Sequence, residues 1–184
     1  MIITMSGKAE HGKDFTAIIL KEKLEAKGKK VLTIHYADLL KYIAKQYLDW
    51  DGSKDEKGRT LLQWLGTEKV RSYNTNYWVN FVMGIAEIFL DEYDYFLIPD
   101  TRFPNEIELW KDYGWDMCAL HIERLNYENH LTPNQRLHRS ETALDGFKFD
   151  YYIKTETGID NYTKEVNKFI EYLEDKTWGN PRSI

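Results

Sequence analysis

The chain has 184 residues, 42% of them hydrophobic and 15% aromatic, which supplies enough apolar material for a folded core and excludes a largely disordered chain. Its formal net charge of −5 argues against a protein that coats nucleic acid, so we expect no nucleic-acid polymer as a partner. A chain of this length predicts a single domain, residues 1–184.

In chain order, apolar segments that predict strands alternate with segments of helical periodicity, which is typical of an α/β fold with a mainly parallel sheet. The predicted elements are a strand at 2–5, a helix at 14–27, a strand at 31–36, a helix at 37–47, a polar loop at 49–58, helices at 59–72 and 77–91, a strand at 95–98, a helix at 104–113, a strand at 116–122, a strand at 151–155 and a helix at 161–175. Residues 124–149 follow no steady period, which predicts a mobile flap, and the tail after Thr177 is expected to fray.

The cysteine content and the apolar segments indicate a cellular location. The single cysteine, Cys118, cannot form an internal disulfide, which fits a reducing cytoplasm. No basic region precedes a long apolar stretch at the N-terminus, and no segment approaches the length that spans a membrane. We therefore expect a cytoplasmic protein with no membrane partner.

The turn after the first predicted strand has the spacing of a phosphate-binding loop, with Gly7, Gly12 and Lys13 directly after the second glycine. Glycines allow a tight turn whose N–H groups converge on anionic oxygens, and the following helix adds the positive end of its dipole. Asp14 stands where a Ser or Thr usually holds magnesium. The alternative is an ordinary strand-to-helix turn with a solvated lysine.

Two further polar groups follow predicted strands, at the position where open parallel sheets bind ligands. One is the run 36–38, which ends in Asp38, and the other contains Asp100 and Arg102. Asp100 is a candidate ligand of magnesium or of a positioned water, and its alternative role is to cap the helix that begins near Pro104. Arg102 is a candidate contact of a phosphate.

Arginine is scarce in this chain, with seven residues against eighteen lysines, so its positions are informative. Arginine binds phosphate through two parallel hydrogen bonds, which lysine cannot do. Six arginines lie beside the predicted crevice or in the flap: Arg59, Arg71, Arg102, Arg124, Arg136 and Arg139. Surface ion pairing is the alternative, and we expect it for Arg139 and one other.

The flap also contains a histidine and a glutamate close together, His138 and Glu141. Transfer between two phosphates needs no general base, because the acceptor is already an anion. His138 is therefore expected to hydrogen-bond within the flap, and Glu141 to pair with an arginine. His11 in the glycine loop either donates to a phosphate or faces solvent, and both readings are open.

Together these residues resemble the deoxynucleoside monophosphate kinase family, known mainly from bacteriophages and bacteria. The resemblance runs from Ile2 to about Leu173 and rests on the order and spacing of its motifs. The motifs are Ser6-Gly7 with Gly12-Lys13-Asp14, Tyr36-Ala37-Asp38 with Leu40-Lys41, Leu62-Gln63 with Leu65-Gly66-Thr67-Glu68 and Arg71, Trp78-Val79, the run 100–106, Arg124, and His138 with Ser140-Glu141. An Asp after the loop lysine is usual in this family.

The resemblance implies a P-loop fold of five parallel strands with a lid at about 124–149, and transfer of the γ-phosphoryl group of ATP, with magnesium, to a deoxynucleoside monophosphate. The implied ATP phosphate site is Gly7, Lys8, His11, Gly12, Lys13 and Asp14, with Asp14 and Asp100 on the metal. The implied catalytic residues are Lys13, Arg102, Arg124 and Arg136. The implied acceptor site, on helices at about 37–91 and the lid, is Asp38, Lys41, Arg59, Gln63, Arg71, Trp78 and Glu141.

Two alternatives stand beside this interpretation. The run from Gly7-Lys8 to Phe15 also resembles animal-type phosphomevalonate kinase, and Phe15 stands where the deoxynucleotide kinases often have Thr. The missing hydroxyl after Lys13 would also suit a protein that binds nucleotides without transfer. A homodimer is compatible with the family resemblance, and a phage-encoded protein would act in the host cytoplasm.

Overall fold

The computed structural model describes residues 1–176, and in this part of the chain five strands form one parallel sheet. The strands are β1 (Ile2–Ser6), β2 (Val31–Thr33), β3 (Tyr95–Ile98), β4 (Met117–Arg124) and β5 (Tyr151–Thr155). Their order across the sheet is β2-β3-β1-β4-β5, and every neighbouring pair is parallel. The predicted α/β class and five-stranded parallel sheet are confirmed.

Helices cover both faces of this sheet. In the described residues they are α1 (Lys13–Ala26), α2 (Ala37–Tyr47), α3 (Glu56–Gln63), α4 (Val70–Tyr73), α5 (Tyr77–Ile88), α6 (Asn105–Asp112), α7 (Pro133–Leu137), α8 (Arg139–Thr142) and α9 (Ile159–Asp175). A π-helical turn, Trp64–Lys69, joins α3 to α4. Residues 56–73 therefore form one helical segment with a wider turn in its middle.

The central strand β1 is buried along its whole length, which explains why its sequence is a continuous apolar run. Ile3 and Met5 pack with α1 and α9 in one core cluster, whereas Ile2 packs with α5 and α6 in the other. Successive side chains of a strand point to opposite faces, so β1 anchors both layers. This places the end of β1, and the loop that follows it, at a rigid point of the fold.

The second strand is shorter than predicted and ends at Thr33. The backbone N–H groups of Tyr36 and Ala37 donate to the carboxylate of Asp100, at 3.0 and 2.9 Å, instead of continuing a strand ladder. The long-range contact therefore turns the chain into α2 at residue 37.

The helical segment after the polar loop begins earlier than predicted, at Glu56 rather than at residue 59. The carboxylate of Asp55 accepts from the N–H of Gly58 at 2.7 Å and caps the first turn. The predicted loop 49–58 is therefore wrong at its last three residues.

The segment 124–149 contains regular structure that its sequence period did not indicate. Thr132 and Gln135 form a capping box at the start of α7, and α8 follows immediately. The predicted frayed tail after Thr177 lies outside the described residues. Among residues 1–176, no helix is both long enough and apolar enough to cross a bilayer.

Candidate active site

The loop between β1 and α1 turns tightly at two glycines. Gly7 has φ 150° and Gly12 has φ 85°, and Glu10 between them is left-handed at φ 65°. A Cβ atom on Gly7 would lie 2.3 Å from the carbonyl oxygen of Ile122 in β4, so the loop needs glycine there for space as well as for its dihedral angle. This shape brings successive backbone N–H groups to the start of α1, where the helix dipole is positive.

Lys13 folds back over the loop. Its Nζ donates to the carbonyl oxygens of Gly7 and Lys8, both at 2.8 Å, and the residue is only 7% exposed. Burial, together with the nearby charge of Arg102, lowers the pKa of Lys13 to about 7. A buried ammonium bonded only to neutral carbonyls would be stabilised by an anion at the loop.

A cleft of about 400 Å³ opens beside this loop, at the carboxyl ends of the strands. Its walls bring together ten of the residues proposed from the sequence. They are Lys13, Asp14, Lys41, Arg59, Gln63, Arg71, Trp78, Asp100, Arg102 and Glu141. The other proposed residues do not line this cleft: Gly7, Lys8, His11, Gly12, Asp38, Arg124 and Arg136. The first four belong to the loop itself, and Gly7 and Lys8 line a second, smaller cavity beside it.

Asp100 joins two elements at the edge of the cleft. Its carboxylate accepts from the first N–H groups of α2. Burial raises the pKa of Asp100, although these hydrogen bonds and the charge of His35 act to lower it. The suggested alternative, a cap on the helix near Pro104, is wrong. That helix has no side-chain cap, and the carboxylate of Glu106 in its first turn accepts instead from the N–H groups of Arg102 and Phe103, which precede the helix, at 2.5 and 3.0 Å.

Arg71 and Glu106 form a buried ion pair in the wall of the cleft, with side chains 8% and 2% exposed. Arg71 also donates to the carbonyl oxygen of Thr75 at 2.9 Å and lies 3.9 Å from the ring centroid of Phe103. Burial raises the pKa of Glu106 to about 7, although Arg71 and two backbone N–H groups oppose the rise. Arg71 is therefore held by partners within the wall of the cleft before any ligand arrives.

The raised pKa of Glu106 predicts a pH-dependent stability. Between pH 4.5 and about 7 the folded protein keeps a proton that the unfolded chain has lost, so the unfolding free energy should fall as pH rises through this window. The proton on Glu106 contributes at most about 3 kcal/mol to the unfolding free energy. Urea titrations at pH 5 and pH 7.5 should show a steeper fall for the natural chain than for Glu106→Gln. Equal pH dependence in the two proteins would contradict the assignment.

The lid, residues 124–149, contacts the loop through Glu141 in α8. One carboxylate oxygen accepts from the N–H of Ala9 at 3.0 Å, and the other accepts from the guanidinium of Arg102. Lys8 donates to the carbonyl oxygen of Glu141 at 2.6 Å and to Asp145 at 2.5 Å. The predicted pairing of Glu141 with an arginine is therefore present, and the arginine is Arg102.

Arg124 and Arg136 are held outside the cleft by other partners. The guanidinium of Arg124 lies 3.7 Å from the ring centroid of Tyr127 and donates to Thr157 at 2.9 Å. Arg136 pairs with Glu128 and donates to the carbonyl oxygens of residues 129 and 131. Their proposed contact with a transferring phosphoryl group stays a prediction, and it requires the lid to move.

Comparison with known proteins places this geometry in a family. A family model for deoxynucleotide monophosphate kinase matches residues 50–166, which is more than half of the chain. The chain belongs to the deoxynucleotide monophosphate kinase family. The matched segment begins in the loop before α3 and includes α3, α4 and α5, which line part of the cleft, together with Arg102 and the lid.

The chain is similar to the deoxynucleotide monophosphate kinase of enterobacteria phage T4. The two are 26% identical over 117 residues, which are 62% of this chain and 46% of the phage protein. The chain thus matches about half the length of that curated relative. The predicted family resemblance is confirmed.

Solved structures agree with the fold expected for the deoxynucleotide monophosphate kinase family. Two structures of the APS kinase of Mycobacterium tuberculosis, one a point mutant and one in complex with AMPPNP and APS, superpose with a TM-score of 0.51 each. They are 12% and 11% identical to this chain, cover 95% of it, and are themselves covered to 96% and 97%. At this identity they show the fold alone, which is that of a P-loop kinase.

The kinase fold implies a magnesium ion, and the oxygen ligands in the cleft show whether its residues fit one. Asp14 and Asp100 both line it, and one or two carboxylates with substrate phosphates are the coordination that magnesium prefers. His35 lies 3.4 Å from a carboxylate oxygen of Asp14, whose pKa this contact lowers. Within residues 1–176 no three His, Cys, Asp or Glu side chains form a metal cluster of their own. The two carboxylates fit the ion if nucleotide phosphates supply further oxygens.

Sequence reasoning assigned no role to several charged residues of this cleft, among them Glu10 and Glu106. Glu10, inside the glycine loop, accepts from Tyr127 at 2.8 Å and lies 3.4 Å from Arg59, so it links the lid to α3. Glu106 was part of the family motif but had no proposed function. A buried position for Glu106 was readable from its spacing, because Glu106, Ile107 and Trp110 share one face of α6.

Proposed function

We propose that the protein transfers the γ-phosphoryl group of ATP to a deoxynucleoside monophosphate, giving a deoxynucleoside diphosphate and ADP. The observation that carries the proposal is that the glycine loop and the helices of the matched family segment open into one cleft. A donor triphosphate at the loop and an acceptor between the helices would then meet in the same enclosed space. Such a reaction also fits a cytoplasmic location, where both nucleotides are found.

On the donor side, the loop N–H groups and Lys13 are proposed to hold the β- and γ-phosphates. Lys13 would exchange its two carbonyl partners for phosphate oxygens, which restores its full charge at the anion. Asp14 and Asp100 are proposed to hold magnesium, which when bound neutralises charge on the phosphates. The loop thus replaces the water shell of the phosphates with fixed donors.

On the acceptor side, two cations of the cleft are proposed to bind the monophosphate, Lys41 and Arg59, and Arg102 is proposed to contact the transferring phosphoryl group. Arg71 is already held by Glu106 and by the carbonyl oxygen of Thr75, so we propose that it positions the wall rather than the phosphate. An oxygen of the acceptor phosphate attacks the γ-phosphorus while the bond to the β-phosphate oxygen breaks, and the electron pair leaves with ADP. No general base is needed, because the attacking oxygen is already anionic.

The base of the acceptor is proposed to lie against the π-helical turn. Gln63 and Thr67 line the cleft there, and neither side chain has a hydrogen-bond partner among the described residues. The indole N–H of Trp78 donates to the carbonyl oxygen of Gly66 at 3.0 Å, which fixes this wall. A mostly apolar wall with few polar groups is typical of a site that orients a neutral ring.

Thr67→Val is expected to lower kcat/KM for the preferred deoxynucleotide by roughly tenfold, since it removes one uncharged hydrogen bond in the acceptor pocket. Thr60→Val is the matched control, because Thr60 is on the same helical segment but exposed and bonded to its own helix through the carbonyl oxygen of Glu56. The measurement is steady-state kinetics over the four common deoxynucleotides. An equal loss in both variants would remove Thr67 from the acceptor site.

The test of the proposed function is an ADP-release assay with ATP, magnesium and each deoxynucleoside monophosphate in turn, including modified pyrimidines. Phosphomevalonate and a reaction without acceptor serve as comparisons. We expect ADP formation that depends on at least one deoxynucleotide. ADP formation with phosphomevalonate alone, or the same rate without any acceptor, would reject the proposal.

A further inference from the structure

The carboxylate of Glu141 occupies donors that a phosphate would need. It accepts from the backbone N–H of Ala9 at 3.0 Å and from the guanidinium of Arg102, and its side chain is only 7% exposed. Ala9 belongs to the glycine loop, and Arg102 lines the cleft beside it. A carboxylate and a phosphate both accept charge-assisted hydrogen bonds, so the two compete for the same donors.

The same lid segment engages the other cation of the loop. Lys8 donates to the carbonyl oxygen of Glu141 at 2.6 Å and to the carboxylate of Asp145 at 2.5 Å. A further contact, 2.7 Å between His138 and Glu68, attaches the lid to the π-helical turn. The lid is therefore docked over the loop through anionic and carbonyl oxygens from α8 and the residues after it.

The cations nearest the loop have internal partners in this arrangement. Lys13 is bonded to two carbonyl oxygens of the loop, Arg102 to Glu141, and Lys8 to Asp145. Of these partners, Glu141 and Asp145 belong to the lid and can leave with it, whereas the carbonyl oxygens of residues 7 and 8 are part of the loop. Movement of the lid is thus the step that frees Arg102 and the N–H of Ala9.

We propose that Glu141 is an internal substitute for phosphate, which holds the lid on the empty loop and is displaced when a nucleotide triphosphate binds. The inference rests on the proposed function, because it assumes that the loop binds the phosphates of ATP. Displacement opposes binding, so the affinity for the triphosphate is lower than the loop alone would give. Docking also keeps Arg102 and Lys8 paired with carboxylates of the lid.

The test is the dissociation constant of AMPPNP with magnesium, and of inorganic tripolyphosphate, measured by calorimetry on the full chain. Glu141→Gln keeps the shape but removes the charge, and we expect it to bind both probes roughly tenfold more tightly. Asp145→Asn, which changes a more exposed carboxylate, should shift affinity in the same direction by a smaller factor. The second variant keeps the test decisive if Glu141→Gln does not fold.

Glu92→Gln is the matched control, because it makes the same charge change at an exposed position just before β3, at the opposite end of the strands. If all three variants bound the probes more tightly by the same factor, the change in net charge alone would explain the effect, and the inference would be overturned. Unchanged or weaker binding by both lid variants would overturn it as well. Failure of the natural chain and every variant to bind either probe would instead overturn the proposed function, and the inference with it.

Discussion

Replacement of Lys13 by methionine is expected to reduce turnover by at least about 1,000-fold while the protein stays folded. In the proposed mechanism the ammonium supplies a full positive charge to the phosphates at the loop, and methionine has nearly the same length without the charge. Removing a buried charge whose pKa is already lowered to about 7 should cost little stability. The measurements are kcat from ADP release and the midpoint of thermal unfolding.

A structural role for Lys13 would give a different result. Its two hydrogen bonds to the carbonyl oxygens of Gly7 and Lys8 are contacts within the loop. If those bonds were its main role, the methionine variant would unfold at a much lower temperature. A large loss of stability with proportionate loss of activity would make Lys13 a structural residue.

Replacement of Gly7 by alanine is expected to destabilise the protein by about 3 kcal/mol or more and to abolish nucleotide binding. The added methyl group would lie 2.3 Å from the carbonyl oxygen of Ile122, which is backbone of a central strand and cannot move aside. Relief of this clash requires the loop to change shape. Urea unfolding and calorimetry with AMPPNP measure the two effects.

Gly158→Ala provides the matched control for Gly7→Ala. Gly158 has a similar dihedral angle, φ 130°, but the nearest atom to an added methyl group is the side-chain nitrogen Nδ2 of Asn161, at 3.6 Å. Its cost should therefore be backbone strain alone, about 1 to 2 kcal/mol, with little change in AMPPNP affinity. Similar losses in both variants would show that the close approach to β4 is unimportant for the loop.

The parts of the site that were predictable from the sequence depend on local pattern. Gly7, Gly12 and Lys13 have a spacing that predicts a strand–loop–helix unit, and that unit lies where expected. Trp78 and Gln63 were expected on acceptor helices because their motifs resemble those of the family, and both line the cleft. In each case the residue type and its neighbours along the chain carry the information.

The parts that were not predictable depend on contacts between distant residues. Asp100 caps α2, which is 63 residues earlier in the chain, and nothing in its own sequence neighbourhood indicates that partner. The pairing of Arg71 with Glu106 and of Arg102 with Glu141 spans 35 and 39 residues. These bonds form only once the sheet has brought the strand ends together, so periodicity and propensity do not report them.

The helix boundaries show the same limit on a smaller scale. The π-helical turn at Trp64–Lys69 is a single six-residue turn inside a helical segment, which is too short to show a period of its own. The short helices α7 and α8 are each too brief to show a repeat, and their position depends on caps and on contacts with the loop.

The most direct test of the central claim is to follow the fate of the γ-phosphoryl group itself. ATP labelled at that position is incubated with the protein, magnesium and the deoxynucleoside monophosphate found most active, and the products are separated. We predict that the label appears in the deoxynucleoside diphosphate and that Lys13→Met abolishes the transfer. Label found only in inorganic phosphate, or retained entirely in ATP, would contradict the account.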